Sequence, residues 1–151
     1  KELSRVINIP YFKNNTEKKF FSDVEVSKYR WLDQLYLYEF LKQTHYSAII
    51  DRGYASDIVY TNVFRRDNLD IINILYDIDY KFSSIGARII YCYKDEILEK
   101  DDIINIVDNK RELESEYAYF LLKTKCKYLE LNTTDEALEK QITIILGWLY
   151  E

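Results

Sequence analysis

Three short apolar runs, separated by longer segments with helical periodicity, are the feature of this chain that most constrains its fold. The runs are residues 46–51 (YSAIID), 87–93 (ARIIYCY) and 127–131 (KYLEL). The first two are apolar at consecutive positions, which is typical of strands buried on both faces of a sheet. Strands that alternate with helices predict an α/β fold in which helices cover both faces of a parallel sheet.

The segments between these runs repeat their apolar residues at steps of three and four, which predicts helices. A short extended piece over residues 9–12 is also expected, because proline favours extension in the residue before it. The expected helices cover residues 3–7, 22–44, 55–65, 69–82, 101–123 and 135–149. Their expected buried stripes are Val26, Tyr29, Leu32, Leu35, Tyr36 and Phe40; Ile58, Val59, Asn62 and Val63; Leu69, Ile72, Leu75, Tyr76 and Tyr80; and Leu113, Tyr117, Phe120 and Leu121.

Composition limits the classes of protein to which the chain can belong. Its 151 residues suit one domain, and its formal net charge of -5 argues against binding to nucleic acid polymers. The sequence contains no run of about 18 apolar residues that could cross a membrane, and its first residues do not resemble a signal peptide. We therefore expect a cytoplasmic protein. Cys92 and Cys126, each inside an apolar run, are expected to be reduced core thiols.

The first apolar run ends in two opposite charges, Asp51 and Arg52, followed by Gly53, which allows a tight turn or the close approach of the backbone to a ligand. In parallel sheets, ligands bind outside the carboxyl ends of the strands. At such an end an arginine can grip a phosphate with its planar fork of donors, and a carboxylate can hold Mg²⁺ directly or through water. The pair therefore suits phosphoryl transfer. A salt bridge at a strand-to-helix turn is the structural alternative.

The stretch DRGYASDIVY, residues 51–60, resembles the Asp-Arg motif of thymidylate kinases and their deoxynucleoside kinase relatives. In that family the acid and the arginine end a strand, and a serine and then an aromatic residue follow on the next helix. Asp51, Arg52, Ser56 and Tyr60 match those positions. The segments KELSRVINIPYFK, ARIIYCYKDE, ELESEYAYFL and KYLELNTTDEALEKQITIIL fall in the matching order, so the resemblance spans nearly the whole chain. It implies a single three-layer domain over residues 1–151 with a P-loop NTP hydrolase-like nucleotide kinase fold.

The resemblance also implies roles for individual residues. Asp51 matches the acid that supports Mg²⁺ and orients the acceptor, and Arg52 matches the arginine that contacts the acceptor phosphate or the transferred phosphate. We take these two as the candidate catalytic residues. The candidate substrate-binding residues are Phe12, Lys13, Arg30, Trp31, Gln34, Ser56 and Tyr60.

Several of these residue types have chemistry that suits a nucleotide. Gln34 can hydrogen-bond a base edge through its amide, Trp31 can stack on a base, and Arg30 can pair with a monophosphate. Lys13 can meet a phosphate. For Trp31 and Tyr60 core packing is the alternative role, and for Lys13 it is a solvated position.

The segment over residues 94–111 resembles the lid of these kinases, which often supplies arginines to the transferring phosphate. Here Lys94, Lys100 and Arg111 would make those contacts, and the usual spacing of two arginines is missing. The family binds ATP through a loop of the form G-x-x-x-x-G-K-[ST], between its first strand and first helix. This sequence lacks the motif and opens at the register that follows it. We expect the first strand and the loop to precede Lys1; the alternative is a relative that has lost ATP binding.

The resemblance thus implies ATP- and Mg²⁺-dependent phosphorylation of a (deoxy)nucleoside monophosphate, with thymidylate as the first candidate. Two alternatives stay open: a deoxynucleoside kinase that phosphorylates a sugar hydroxyl, and a non-catalytic nucleotide-fold protein that binds a partner. A deoxynucleoside kinase needs a base-like acid after the second strand, where this chain reads YFKNNTEKK and offers Glu17 as the nearest carboxylate. The tyrosine-rich long helix is a candidate face for a homodimer.

Overall fold

A computed structural model of the chain describes residues 1–13, 30–64, 69–95, 108–134 and 137–151. Its elements, in chain order, are α1 (Glu2–Ile7), β1 (Tyr11–Lys13), α2 (Arg30–Thr44), β2 (Ile49–Asp51), α3 (Tyr54–Phe64), α4 (Leu69–Ser84), β3 (Arg88–Tyr93), α5 (Lys110–Lys123), β4 (Lys127–Asn132) and α6 (Leu138–Leu149). The predicted alternation of helices and parallel strands is confirmed, and the described chain is an α/β structure. Predicted helical residues 22–29, 65, 101–107 and 135–136 lie outside the described residues.

The described strands form two parallel pairs, β1 with β2 and β3 with β4. In the first pair Tyr11 lies opposite Ile49, and Lys13 lies opposite Asp51. The sequence predicted one sheet, whereas the described strands form two sheets of two strands. The strand predicted over 46–51 is also shorter, because α2 ends at Thr44 and the chain turns through His45, whose φ of 56° is left-handed. His45 is exposed at the end of this helix.

The core lies among the helices. Helix α2 packs against α4, α4 against α3, and α3 against α5. At the centre the rings of Tyr54 and Phe82 stack with centroids 5.2 Å apart, and Phe82 also receives the edge of Tyr38 at 5.8 Å. Phe120 from α5 and the fully buried Ile58 from α3 complete this centre. Burying large aromatic and branched side chains stabilises the domain by about 1.5–3 kcal/mol for each side chain.

The buried face predicted for α2 is wrong in part, although Leu35 packs against the core as predicted. Gln34, Tyr38 and Leu41 are the buried residues of this helix, while Tyr36 and Phe40 are 71% and 48% exposed. Large apolar residues lie on most sides of α2, so their spacing alone does not identify the inward face. Packing against α4 selects the face that carries Tyr38 and Leu41.

The other helices follow their predicted stripes more closely. On α4, Leu75 is buried as predicted, but Tyr80 is 67% exposed and Ile78 and Phe82 take the inward positions. Leu75, Ile78 and Phe82 are separated by steps of three and four, which fit one helix face. The predictions for α3 and α5 are confirmed by the buried residues Ile58, Val59, Val63, Leu113, Phe120 and Leu121.

The two cysteines differ. Cys126 is a buried free thiol, as predicted, and burial raises its pKa. Cys92 is also free but exposed, so its assignment to the core is wrong. Successive side chains of a strand point to opposite faces, and Tyr91 and Tyr93, the neighbours of Cys92, stack on each other on the face that meets α5. No helix in the described part of the chain is both long and apolar enough to cross a membrane.

Candidate functional site

The carboxyl end of β2 carries the two candidate catalytic residues, and β1 holds the first of them in place. Residues opposite each other in a parallel pair share a face, so Tyr11, Lys13 and Asp51 lie on one face of the β1–β2 pair. The Tyr11 hydroxyl donates to Oδ2 of Asp51 at 2.6 Å, and this bond raises the pKa of the phenol. Among the described residues Tyr11 is the hydrogen-bond partner of Asp51. The site therefore contains a half-buried carboxylate with one oxygen fixed by a neighbouring strand.

Arg52 follows directly and has an unusual backbone. Its φ is 59°, in the left-handed region that costs a residue with a Cβ about 1–2 kcal/mol. The sequence predicted that Gly53 allows a tight turn or the close approach of a ligand; the positive φ lies at Arg52, and the space beside Gly53 is tight. A Cβ at position 53 would lie 3.3 Å from Cγ2 of Ile50 and 3.4 Å from Oε1 of Gln34. Asn8 and His45 have a similar φ at helix ends, whereas the exposed Arg52 has it at the end of a parallel strand, which makes Arg52 the candidate of the three.

Gln34 from α2 reaches this turn from the core side. It is 3% exposed, and its Oε1 accepts no hydrogen bond. A buried acceptor without a donor costs about 1–3 kcal/mol, and most buried polar atoms are paired. The Oε1 atom therefore leaves an acceptor beside Gly53 that the described protein does not satisfy. The sequence suggested Gln34 as a base-edge contact, and the structure adds that its amide oxygen lies against the end of β2.

A second set of contacts links the first turn of α3 to β3. Ser56 accepts a hydrogen bond from the Tyr117 hydroxyl at 3.2 Å, and the ring of Tyr117 stacks on that of Tyr91 at 4.7 Å. Burial raises the pKa of Tyr117, whereas its bond to Ser56 and the positive charge of Arg52 act in the opposite direction. Arg52 is thus close enough to affect the Tyr117 hydroxyl. This chain of contacts joins the helix after β2 to the other strand pair.

The remaining predicted substrate residues are more scattered. Phe12 lies opposite Ile50 and is 43% exposed, on the face of the β1–β2 pair that Asp51 does not share. Trp31 and Tyr60 are partly buried and pack against the core, which is the alternative role considered for both. Lys13 is exposed at the end of β1. Of this group, register brings only Lys13 beside Asp51.

The predicted lid contacts are not joined to Asp51 or Arg52 by any contact within the described residues. Lys94 is exposed immediately after β3, and Arg111 is exposed in the first turn of α5. Lys100 and the side chain of Arg30 lie outside the described residues. The lid roles of these cations therefore stay predictions.

The described acidic residues suit a Mg²⁺ ion that is shared with substrate phosphates, rather than one held by protein side chains alone. The described residues contain no group of three or more His, Cys, Asp or Glu side chains that could hold a metal ion. Mg²⁺ is commonly held by one or two carboxylates together with substrate phosphates and water, so Asp51 alone suits an ion that arrives with phosphates. A metal cage built entirely from the described side chains is not present.

Two residues of this site were not predicted from the sequence. Tyr11 lies two residues before Lys13, and only the β1–β2 register brings its hydroxyl to Asp51. The sequence places Tyr117 on the buried stripe of its helix, and its ring does pack there, but its hydroxyl bonds to Ser56. A tyrosine on a predicted core stripe signals a hydroxyl in need of a partner, which is the one sequence clue available.

No protein-family profile, curated protein or solved structure matches this chain. The strand end is distinguished by its own chemistry. Tyr11 holds the carboxylate of Asp51, Arg52 follows it with a left-handed backbone, and the unpaired amide oxygen of Gln34 lies beside the next residue, Gly53.

Proposed function

We propose that this chain is part of an ATP- and Mg²⁺-dependent kinase that phosphorylates a (deoxy)nucleoside monophosphate, with thymidylate as the first candidate. The observation that carries the proposal is the left-handed backbone of Arg52 at the end of a parallel strand, next to the held carboxylate of Asp51. Strain of this kind is maintained where a side chain must be presented in one direction. Carboxyl ends of parallel strands are where such sheets bind ligands.

The proposed roles follow from the chemistry of each group. Arg52 would contact an oxygen of the acceptor phosphate, since a guanidinium offers a planar fork of donors that matches phosphate geometry. Asp51 would hold Mg²⁺ through its second oxygen or through water. Phosphoryl transfer needs little covalent chemistry from the protein, so positioning and charge neutralisation by these two residues would supply their share of catalysis.

Gln34 supports a nucleotide as the acceptor rather than a simple phosphate. Its unpaired Oε1 requires a donor, and the ring N–H of a thymine-type base is one. A site whose buried polar atom is satisfied by the correct substrate discriminates strongly against analogues that lack the matching group. Thymidylate is placed first among the acceptors because of the family resemblance, and the unpaired oxygen of Gln34 is compatible with that choice.

The donor side of the proposed reaction needs a phosphate-binding loop, and residues 1–151 contain no G-x-x-x-x-G-K-[ST] motif. The proposal therefore includes such a loop and its strand before Lys1, a three-layer P-loop fold, a lid with Lys94 and Arg111, and a cytoplasmic location. Reading the coding sequence upstream of Lys1 tests this first. If no such motif precedes KELSR, the kinase proposal is wrong and a non-catalytic binding protein takes its place.

The biochemical test is a panel of nucleosides and nucleoside monophosphates incubated with the natural protein, ATP and Mg²⁺, scored for phosphorylated product and for ADP. We expect diphosphate formation from a monophosphate, abolished when EDTA removes Mg²⁺. If the nucleosides are phosphorylated and the monophosphates are not, the protein is a deoxynucleoside kinase instead. ADP formation that does not depend on any acceptor would contradict both assignments.

A further inference from the structure

The hydrogen bond between Tyr11 and Asp51 determines which part of the carboxylate is available to a ligand. The distance of 2.6 Å between the Tyr11 hydroxyl and Oδ2 of Asp51 is that of a charge-assisted O–H···O bond, which is stronger than a neutral one. The other oxygen, Oδ1, accepts no hydrogen bond from the described residues. Because the two residues belong to adjacent strands, the bond fixes the carboxylate relative to the whole β1–β2 pair.

The identity of the partner is unexpected, since a cation is nearer in register. Lys13 lies directly opposite Asp51 on the same face, and adjacent strands are about 4.8 Å apart, well within the reach of a lysine side chain. Within the described residues, however, no ion pair joins Lys13 to Asp51. A phenol holds the carboxylate, and the exposed ammonium of Lys13 is left beside it.

We propose that Tyr11 is a positioning residue that holds Asp51 so that Oδ1 faces Mg²⁺ and so that Lys13 stays available to a phosphate oxygen. The inference rests on the proposed function. It assigns Tyr11 an indirect role, through Asp51, and it explains why a neutral donor occupies Oδ2. A lysine bound there would cancel the negative charge that attracts Mg²⁺ and would lose its own capacity to meet a phosphate.

The kinetic test uses Tyr11→Phe, which keeps the ring and removes the hydroxyl. We expect kcat to fall about 10- to 100-fold, the range seen when a group that orients a metal ligand is removed, with a higher half-saturating Mg²⁺ concentration and an unchanged KM for ATP. Tyr46→Phe, at a 68% exposed position, is the matched control and should behave as wild type. Adding Lys13→Met to Tyr11→Phe should move the Mg²⁺ requirement back towards the wild-type value. Equal kinetics for Tyr11→Phe and Tyr46→Phe would overturn the inference.

A second measurement needs no activity. Urea unfolding of Tyr11→Phe, Asp51→Asn and the double variant forms a cycle that isolates the coupling between the two side chains. We expect a coupling of about tenfold in the unfolding equilibrium constant, as for a hydrogen bond to a charged group. A cycle without coupling overturns the inference even if the wild type phosphorylates nucleotides. Strong coupling in a protein that is inactive with every nucleoside and monophosphate tested overturns the proposed function and the catalytic role of Tyr11. That result would still show that Tyr11 holds Asp51, for a purpose other than catalysis.

Discussion

Asp51 and Asp79 are two carboxylates of the same chain in contrasting surroundings. Asp79 is 1% exposed, and both of its oxygens are bonded. Oδ1 accepts from the Tyr54 hydroxyl at 2.9 Å and from Oγ1 of Thr124 at 2.6 Å, and Oδ2 accepts from the Lys125 amide at 2.8 Å. Asp51 is half-buried and has one described hydrogen bond, from Tyr11. Within the described residues, both carboxylate oxygens of Asp79 accept hydrogen bonds, whereas only Oδ2 of Asp51 does.

The fold satisfies Asp79 completely, whereas Asp51 is the carboxylate to which we assign a functional role, and Tyr54 lies between the two in sequence. It is the first residue of α3, three residues after Asp51, and burial strongly raises the pKa of its phenol. The Asp79 network holds Tyr54, two residues after Arg52, so we expect it to restrain the turn in which Arg52 has its left-handed backbone. We expect a fully hydrogen-bonded buried network to offset the cost of backbone strain a few residues away.

The largest effect should come from breaking the saturated network. Asp79→Ala leaves the Tyr54 hydroxyl, the Thr124 hydroxyl and the Lys125 amide without their acceptor, so we expect the free energy of unfolding to fall by about 3 kcal/mol or more. Asp77→Ala, on an exposed position of the same helix, should change it by less than about 0.5 kcal/mol. Urea unfolding followed by circular dichroism measures both. Equal effects of the two substitutions would mean that Asp79 is not the anchor.

Next in size is the loss of the strained arginine. Arg52→Ala should reduce turnover about 10²–10³-fold, as when one preorganised donor is removed from a reacting group, while the protein stays folded. Arg52→Gly should lose the same activity and raise the free energy of unfolding by about 1 kcal/mol, because glycine adopts a positive φ without strain. Near-normal phosphoryl transfer in Arg52→Ala would remove Arg52 from the site.

A smaller gain in stability is expected from removing the unpaired amide. Gln34→Met keeps the length of the side chain and replaces a buried acceptor that lacks a donor, so unfolding should become harder by about 1 kcal/mol. The same variant should raise the KM for the nucleotide acceptor. Gln43→Met, at an exposed position of the same helix, is the control and should change neither quantity. A loss of stability in Gln34→Met would show that the amide is satisfied in solution and is part of the fold.

The smallest effect concerns pH. Burial raises the pKa of Tyr91 to about 12, above the usual value of 10.0 that it regains on unfolding. Between these two values the phenol stays neutral in the folded state but ionises in the unfolded state. The contribution of Tyr91 to the free energy of unfolding is therefore complete below pH 10 and is lost between pH 10 and about 12. Tyr91→Phe should lose stability less steeply than wild type over that window, as measured by unfolding at several pH values. Parallel curves for the two proteins would contradict the assignment.

The predictions from sequence succeeded where one local rule determines the answer. Leu113, Phe120 and Leu121 belong to the apolar stripe that helical spacing predicts for their helix, and they are buried. Asp51 and Arg52 follow a run of branched residues, so their place at a strand end could be predicted. The inward face of α2 could not be predicted, because Tyr36, Tyr38 and Phe40 are all suitable for burial and only contact with α4 distinguishes them.

The candidate site at the end of β2 could likewise be predicted only in part. Residue type and position at a strand end suggested Asp51 and Arg52, because charge belongs to the side chain itself, and the family resemblance added Gln34 and Ser56. Their partners depended on packing. Tyr11 meets Asp51 through the register of two strands whose sequences lie far apart, and Tyr117 meets Ser56 through the approach of two helices.

The sequence by itself determined the alternation of helices and strands, most element boundaries to within a few residues, and the charged pair at the end of β2. These features follow from local periodicity and from turn chemistry, which act over a few residues. Only the tertiary structure decided that Arg52 rather than Gly53 carries the positive φ, that Gln34 is buried without a donor, and that Asp79 rather than Asp51 is saturated. Those outcomes depend on which groups from distant parts of the chain reach the same place, and hydrogen bonding at a buried site depends on that arrangement.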